Sequence, residues 1–200
     1  MPGLSDTYDL GVYRWPLSQC LRLFRQMIQA VEYLHDQNVV HGDICTGNVV
    51  LTTERDAQLH KELTAEKIYL IDFETARRLS LPLWKQHVLP LPEARYRRRL
   101  KDLAHFDPYS WDVYCLGRLF RYLLEDAYGR RKLPWIVHPY HRWLLSDEKG
   151  CMGVCRCRPT ARRARQMLTV MIWVAHTSEL CEGLVMRIHR FITPLFSRPS

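Results

Sequence analysis

The octet His41-Gly42-Asp43-Ile44-Cys45-Thr46-Gly47-Asn48 and the triplet Asp72-Phe73-Glu74, which starts 24 residues after Asn48, concentrate groups able to do chemistry. An ionised Asp43 can accept a hydroxyl proton. The amide oxygen of Asn48, five residues on, can hold a hard cation, and a second carboxylate at Asp72 can hold the Mg²⁺ that bridges nucleotide phosphates. These residue types in this order point to phosphoryl transfer. The rival reading makes Asp43 a loop cap and Asn48 and Asp72 turn-closing residues.

Such groups need elements to carry them. Ser18 is a candidate N-cap, and Cys20, Leu21, Phe24, Met27, Ile28, Val31 and Leu34 recur at three- and four-residue steps, which predicts an amphipathic helix to about His35. Val39-Val40 leads into the octet. Val49-Val50-Leu51 and Ile68-Tyr69-Leu70-Ile71 read as strands that pair as a ribbon and bring Asn48 and Asp72 to one end. Residues 52–67 read as a polar surface insertion, and 75–110, with prolines and little periodicity, as mostly loop. Helical spacing returns from Trp111 to about Tyr128 through Val113, Leu116, Leu119, Phe120, Leu123 and Leu124, and again from Trp135 to Leu145. Thr160 is placed to cap a segment through Met167, Leu168 and Met171, succeeded by another helix to about Phe196.

Composition narrows the function classes. Two hundred residues, 47% of them hydrophobic, suffice for one well-packed domain. The longest apolar run, Met167 to Ala175, is about half of what a bilayer span needs. Met1 to Trp15 carries Asp6 and Asp9 and no apolar core, so it does not read as a signal peptide, and seven cysteines then suggest reduced thiols in cytosol or nucleus. Lys and Arg exceed Asp and Glu by 29 − 21 = 8. Much of this charge lies in two blocks, Arg95, Arg97, Arg98, Arg99 and Lys101, and Arg156, Arg158, Arg162, Arg163 and Arg165. They read as solvated faces or as a docking surface for an acidic protein partner; no nucleic-acid-binding motif accompanies them. Cys151, Cys155 and Cys157 with His138 and His141 could supply zinc ligands, but their spacing is not the two-residue knuckle, and ordinary thiols are the preferred reading. Cys45 reads as a space-filling residue.

Three further motifs come after the octet and triplet in order: Leu91-Pro92-Glu93, Asp112-Val113-Tyr114-Cys115-Leu116-Gly117 and Arg158-Pro159-Thr160-Ala161. The series resembles the C-terminal lobe of a protein kinase domain, and the stretches 106–112 and 155–161 are similar to divergent kinase-like proteins of fungi. The resemblance implies a mainly α (α+β) fold, a helical bundle with a small β-ribbon at the active site. It implies Asp43 as catalytic base, Asn48 and Asp72 as Mg²⁺ ligands and contacts for ATP, and structural roles for His41, Glu93, Asp112 and Arg158. Glu93 and Arg158 would form a buried ion pair, and Asp112 would hold the backbone of the catalytic loop. The implied activity is ATP-dependent phosphorylation of Ser/Thr hydroxyls on a protein substrate. The expected division is an N-terminal segment 1–15, the kinase-like lobe 16–175 and a helical extension 176–200.

The departures from the family pattern carry expectations of their own. Gly42 stands where the family usually has Arg, and between Asp72 and Glu93 only Thr75 and Ser80 could take phosphate, so the usual activation-loop switch is not expected. Glu74 replaces the usual Gly. His-Gly-Asp also occurs in aminoglycoside- and choline-type kinases, which keeps a small-molecule substrate as an alternative. Residues 1–60 contain no lysine, and before the octet the glycines are Gly3 and Gly11. The Gly-rich loop and ATP-binding Lys of a kinase N-lobe are thus not found here, so the isolated chain is expected to be a weak or inactive catalyst, truncated relative to a bilobal kinase. The alternative from another class is a non-catalytic pseudokinase serving as a binding scaffold.

Overall fold

The computed structural model describes residues 15–85, 89–90, 105–129, 133–146 and 156–196. Five helices, a 3₁₀ turn and six short strands are described. They run α1 (Leu17–Asp36), β1 (Val39–Val40), the 3₁₀ turn (Thr46–Asn48), β2 (Val49–Leu51), α2 (Glu54–Leu59), β3 (Ile68–Leu70) and β4 (Arg77–Arg78), then β5 (Leu89–Pro90), β6 (His105–Phe106), α3 (Pro108–Tyr128), α4 (Val137–Leu145) and α5 (Ala161–Phe196). This is the mainly helical α+β architecture expected. The strands pair antiparallel as three two-stranded ribbons, β1 with β4, β2 with β3 and β5 with β6.

Leu21, Phe24, Met27, Ile28 and Val31 of α1 are buried, and the Phe24 ring stacks on Phe120 of α3 with centroids 4.1 Å apart. Its start differs from the expectation. Pro16 is the N-cap, its carbonyl accepting from the backbone of Gln19 and Cys20, and Ser18 lies inside the first turn. Ser18 N–H and Oγ–H both donate to the Glu179 carboxylate of α5, at 2.9 and 2.5 Å. A carboxylate from another helix therefore does the capping, where the helix dipole favours negative charge.

Helix α3 forms the centre of the core, with Trp111, Leu116, Phe120 and Leu124 fully or almost fully buried. It starts three residues earlier than the periodicity suggested, because Asp107 caps it through Tyr109 N–H (3.0 Å) and Ser110 N–H (3.3 Å) and Pro108 occupies the first turn. Gly117 lets α4 approach closely: a Cβ there would sit 2.9 Å from Leu144 Cβ.

The expected polar insertion contains α2, fixed by a capping box in which Asp56 N–H donates to Thr53 Oγ1 and the Asp56 carboxylate accepts from Thr53 N–H at 2.8 Å. Those hydrogen bonds from the Thr53 backbone and hydroxyl hold the Asp56 carboxyl below its usual range.

Beyond α4, Thr160 does cap, accepting from Arg163 N–H, but it opens one continuous helix in place of the two expected. Ala161, Ala164, Leu168, Met171, Ile172 and Ala175 of α5 are buried, and Arg162 and Arg165 pair with Glu32 on α1. Ala175 is the last buried residue among those of the helix whose burial is described, although the helix runs unbroken through the 175/176 boundary proposed for an extension.

Candidate active site

The octet is held from below by α3. The Asp112 carboxylate, fully buried, accepts from His41 N–H at 2.8 Å, from Gly42 N–H at 2.8 Å and from His35 Nε2 at 3.1 Å. One side chain thereby fixes two consecutive peptide units of the loop and the end of α1. The neighbouring Trp111 donates its indole N–H to Gly42 O at 3.0 Å, and Thr75 Oγ1 donates to His41 O at 2.8 Å. His35, Trp111 and Thr75 were not singled out as site residues in the sequence. Their signal was faint: His35 ends α1, and Trp111 directly precedes Asp112.

His41 ties the octet to the triplet. Its Nε2 lies 3.1 Å from Ile71 O, and a carbonyl only accepts, so the Nε2–H tautomer is the one present. Nδ1 is then left to accept from Asp43 N–H at 3.4 Å. The His41 and Phe73 rings lie 4.8 Å apart between centroids. Gly42 sits at φ +82°, and a Cβ on it would fall 3.1 Å from Thr75 O.

Asn48 and Asp43 meet directly: Asn48 Nδ2 donates to Asp43 O at 2.8 Å and to Asp43 Oδ2 at 3.2 Å. Because Asp43 O accepts only, the amide orientation is fixed, and Asn48 Oδ1 is the atom left to meet a cation. The ribbon register, Val49 to Leu70 with Ile71 N–H donating to Asn48 O at 3.0 Å, puts Asp72 next to Asn48 at the same end. Asp72 is exposed and at φ +59°, a left-handed conformation that Asp tolerates better than most residues. Its Oδ1 accepts weakly from Glu74 N–H at 3.4 Å. Glu74 is not among the positive-φ residues, so it carries no left-handed strain. Asp43, Asn48 and Asp72 are hard oxygen donors, the kind that suits Mg²⁺.

Of the remaining expected residues, Arg158 lies further off. Arg158, almost fully buried, donates through Nε to Leu145 O, Nη1 to Ser110 Oγ and Nη2 to Ser146 O, and stacks over Tyr114. Glu93 lies outside the described residues, as do Cys151, Cys155 and the block Arg95 to Lys101.

Comparison with known proteins agrees with this geometry. A family model described as fungal protein kinase matches residues 16–86, which span α1, the octet and the triplet. Casein kinase I homolog RAG8 of Kluyveromyces lactis is 29% identical over 141 residues, covering 67% of this chain and 24% of the relative. Casein kinase I homolog 2 of Schizosaccharomyces pombe is 27% identical over 143 residues, covering 67% of this chain and 30% of the relative. Serine/threonine-protein kinase STK11 of Rattus norvegicus is 41% identical over 68 residues, 34% of this chain and 16% of that protein. Residues 16–86 are thus similar to fungal protein kinases, and about two thirds of the chain is similar to casein kinase I homologues. The chain spans about a quarter to a third of the length of the two casein kinase I relatives.

Proposed function

We propose that this chain carries the floor of an ATP-dependent phosphotransferase site that acts on Ser/Thr hydroxyls of a protein. Asp43 is the base that takes the hydroxyl proton, and Asn48 Oδ1 and the Asp72 carboxylate are the atoms that would hold Mg²⁺ with the nucleotide phosphates. Bound there, the metal would neutralise charge developing on the transferred phosphoryl group. The observation that carries this reading is the Asn48 amide, whose nitrogen bridges the carbonyl and the carboxylate of Asp43 while its oxygen stays available. A loop-cap reading needs no such coupling between the two residues.

The chain's own residues supply positioning. Asp112 and Trp111 hold the loop backbone, and His41 joins it to Ile71, so Asp43 and Asp72 keep a fixed relation. Gly42 offers no guanidinium to receive a phosphate, and the Thr75 hydroxyl is engaged with His41 O, which supports regulation without the usual phosphate relay.

The test is Mg·ATP binding by thermal shift and γ-phosphate transfer to a generic acceptor protein, with the 200-residue chain, Asp43→Ala and Asp72→Ala side by side. Asp72→Ala should lose the Mg²⁺-dependent shift and Asp43→Ala should keep it. Transfer by the wild-type chain should be slow but at least ~100-fold above either variant. Identical behaviour of all three proteins rules out catalysis by this chain. The second reading, a non-catalytic binding module, is favoured if nucleotide binds and no phosphate moves.

A further inference from the structure

Helix α5 is apolar on two opposite sides, and among the described residues only one is covered by the fold. Ala161, Ala164, Leu168, Met171, Ile172 and Ala175 face the core. At about 100° per residue, the stripe Val170, Trp173, Thr177, Leu180 and Leu184 lies on the other side of the helix. Val170 is 57% exposed, Trp173 66%, Leu180 59% and Leu184 60%. The steps of three, four, three and four residues are those of a coiled-coil seam. Thr177 turns its hydroxyl back to Trp173 O and Val174 O, at 3.0 and 2.9 Å, which leaves its methyl group to the seam.

We propose that this stripe is a homodimer interface, in which α5 of one copy lies antiparallel along α5 of a second copy of this chain. Three observations select a second copy as the occupant. The first is self-complementarity. With the two-fold axis between Thr177 and Leu180, the Trp173 indole of one copy falls opposite Leu184 and Gly183 of the other, and the reverse, as an isologous contact requires. Gly183 is an interior helix glycine, a choice disfavoured relative to Ala, and no described atom outside its own turn of helix lies within 4 Å of where its Cβ would be. A partner's indole gives that open notch a use.

The second observation is charge. Between Met167 and Leu184 the ionised carboxylates are Glu179, turned toward Ser18, and Glu182, so no charge of the stripe itself repels an identical face. The third is area. The stripe and its flanking Met167 and Cys181 expose on the order of 600–800 Å² per copy, one partner's share of a standard stable interface.

Sedimentation equilibrium and light scattering on the 200-residue chain test this. The wild type should have twice the 23.8 kDa chain mass at concentrations on the order of 10 µM. Leu180→Glu with Leu184→Glu, both exposed, should keep the circular dichroism of the fold and weaken dimerisation at least ~100-fold. Gly183→Phe, whose Cβ would meet no described neighbour outside its own turn, should weaken it at least ~10-fold by filling the notch. A wild type that stays monomeric at about 100 µM overturns the proposal. So do variants that dimerise like wild type, or a wild type that grows beyond dimers.

Discussion

Gly42 shows how far one residue's conformation reaches. At φ +82° it occupies the left-handed region, and Thr75 stands where its side chain would go, with backbone and hydroxyl oxygens 3.1 and 3.2 Å from the missing Cβ. Gly42→Arg, which restores the residue usual in the family, should therefore destabilise the fold by about 1–3 kcal/mol in chemical denaturation, and Gly42→Ala should cause most of the same loss. If Gly42→Ala unfolds like wild type, strain is absent and the glycine has another reason. The octet itself was legible because its residue types and spacings recur in order. Of its supports, Asp112 was legible only through the family resemblance, because it meets His41 and Gly42 across a separation of about 70 residues, and no local pattern records that His35 and Thr75 would join them.

At the scale of elements, periodicity was a good guide wherever a helix buries one stripe. It located α1 and α4 closely, and α3 from Trp111 on. It failed where another signal decides. The six-residue α2 is too short for a period and depends on the Thr53–Asp56 capping box, and the start of α3 depends on Asp107 and Pro108. Ser18 looked like a cap from sequence, yet its partner Glu179 lies 161 positions away. Packing of α3 on α4 gives the clearest test at this scale. Gly117→Ala puts a methyl 2.9 Å from Leu144 Cβ, so the helices must separate, and stability should fall by about 1–3 kcal/mol. Adding Leu144→Gly, which removes that Cβ, should make the combined loss smaller than the sum of the two single losses. Strict additivity would show that the two residues do not touch.

For the whole molecule, the thiols measure how completely the core closes. Cys115, in the middle of α3, is 4% exposed, and burial, reinforced by Asp112 and Asp43, pushes its thiol well above the usual value. Burial also pushes Cys20 up to about 11, with Glu179 adding to the effect. Cys157 and Cys181 are exposed. Alkylation and mass spectrometry at pH 8 should find Cys157 and Cys181 labelled at once, and Cys20 and Cys115 only at the rate of global opening, rising together with denaturant. Early labelling of Cys115 would mean that the core opens locally. The same shifts set the sign of the pH dependence. Above about pH 9 the unfolded thiols lose protons that the folded ones retain, so stability falls as pH rises from there through the folded values. The Asp112 tie also bears on how the chain folds. His41 and Gly42 acquire their shared anchor only after a loop of roughly 70 residues closes, an entropic cost met before any contact across it is gained. The octet is thus among the last parts to form, and a nascent chain that has not yet delivered α3 presents His41 to Asn48 as an unorganised segment.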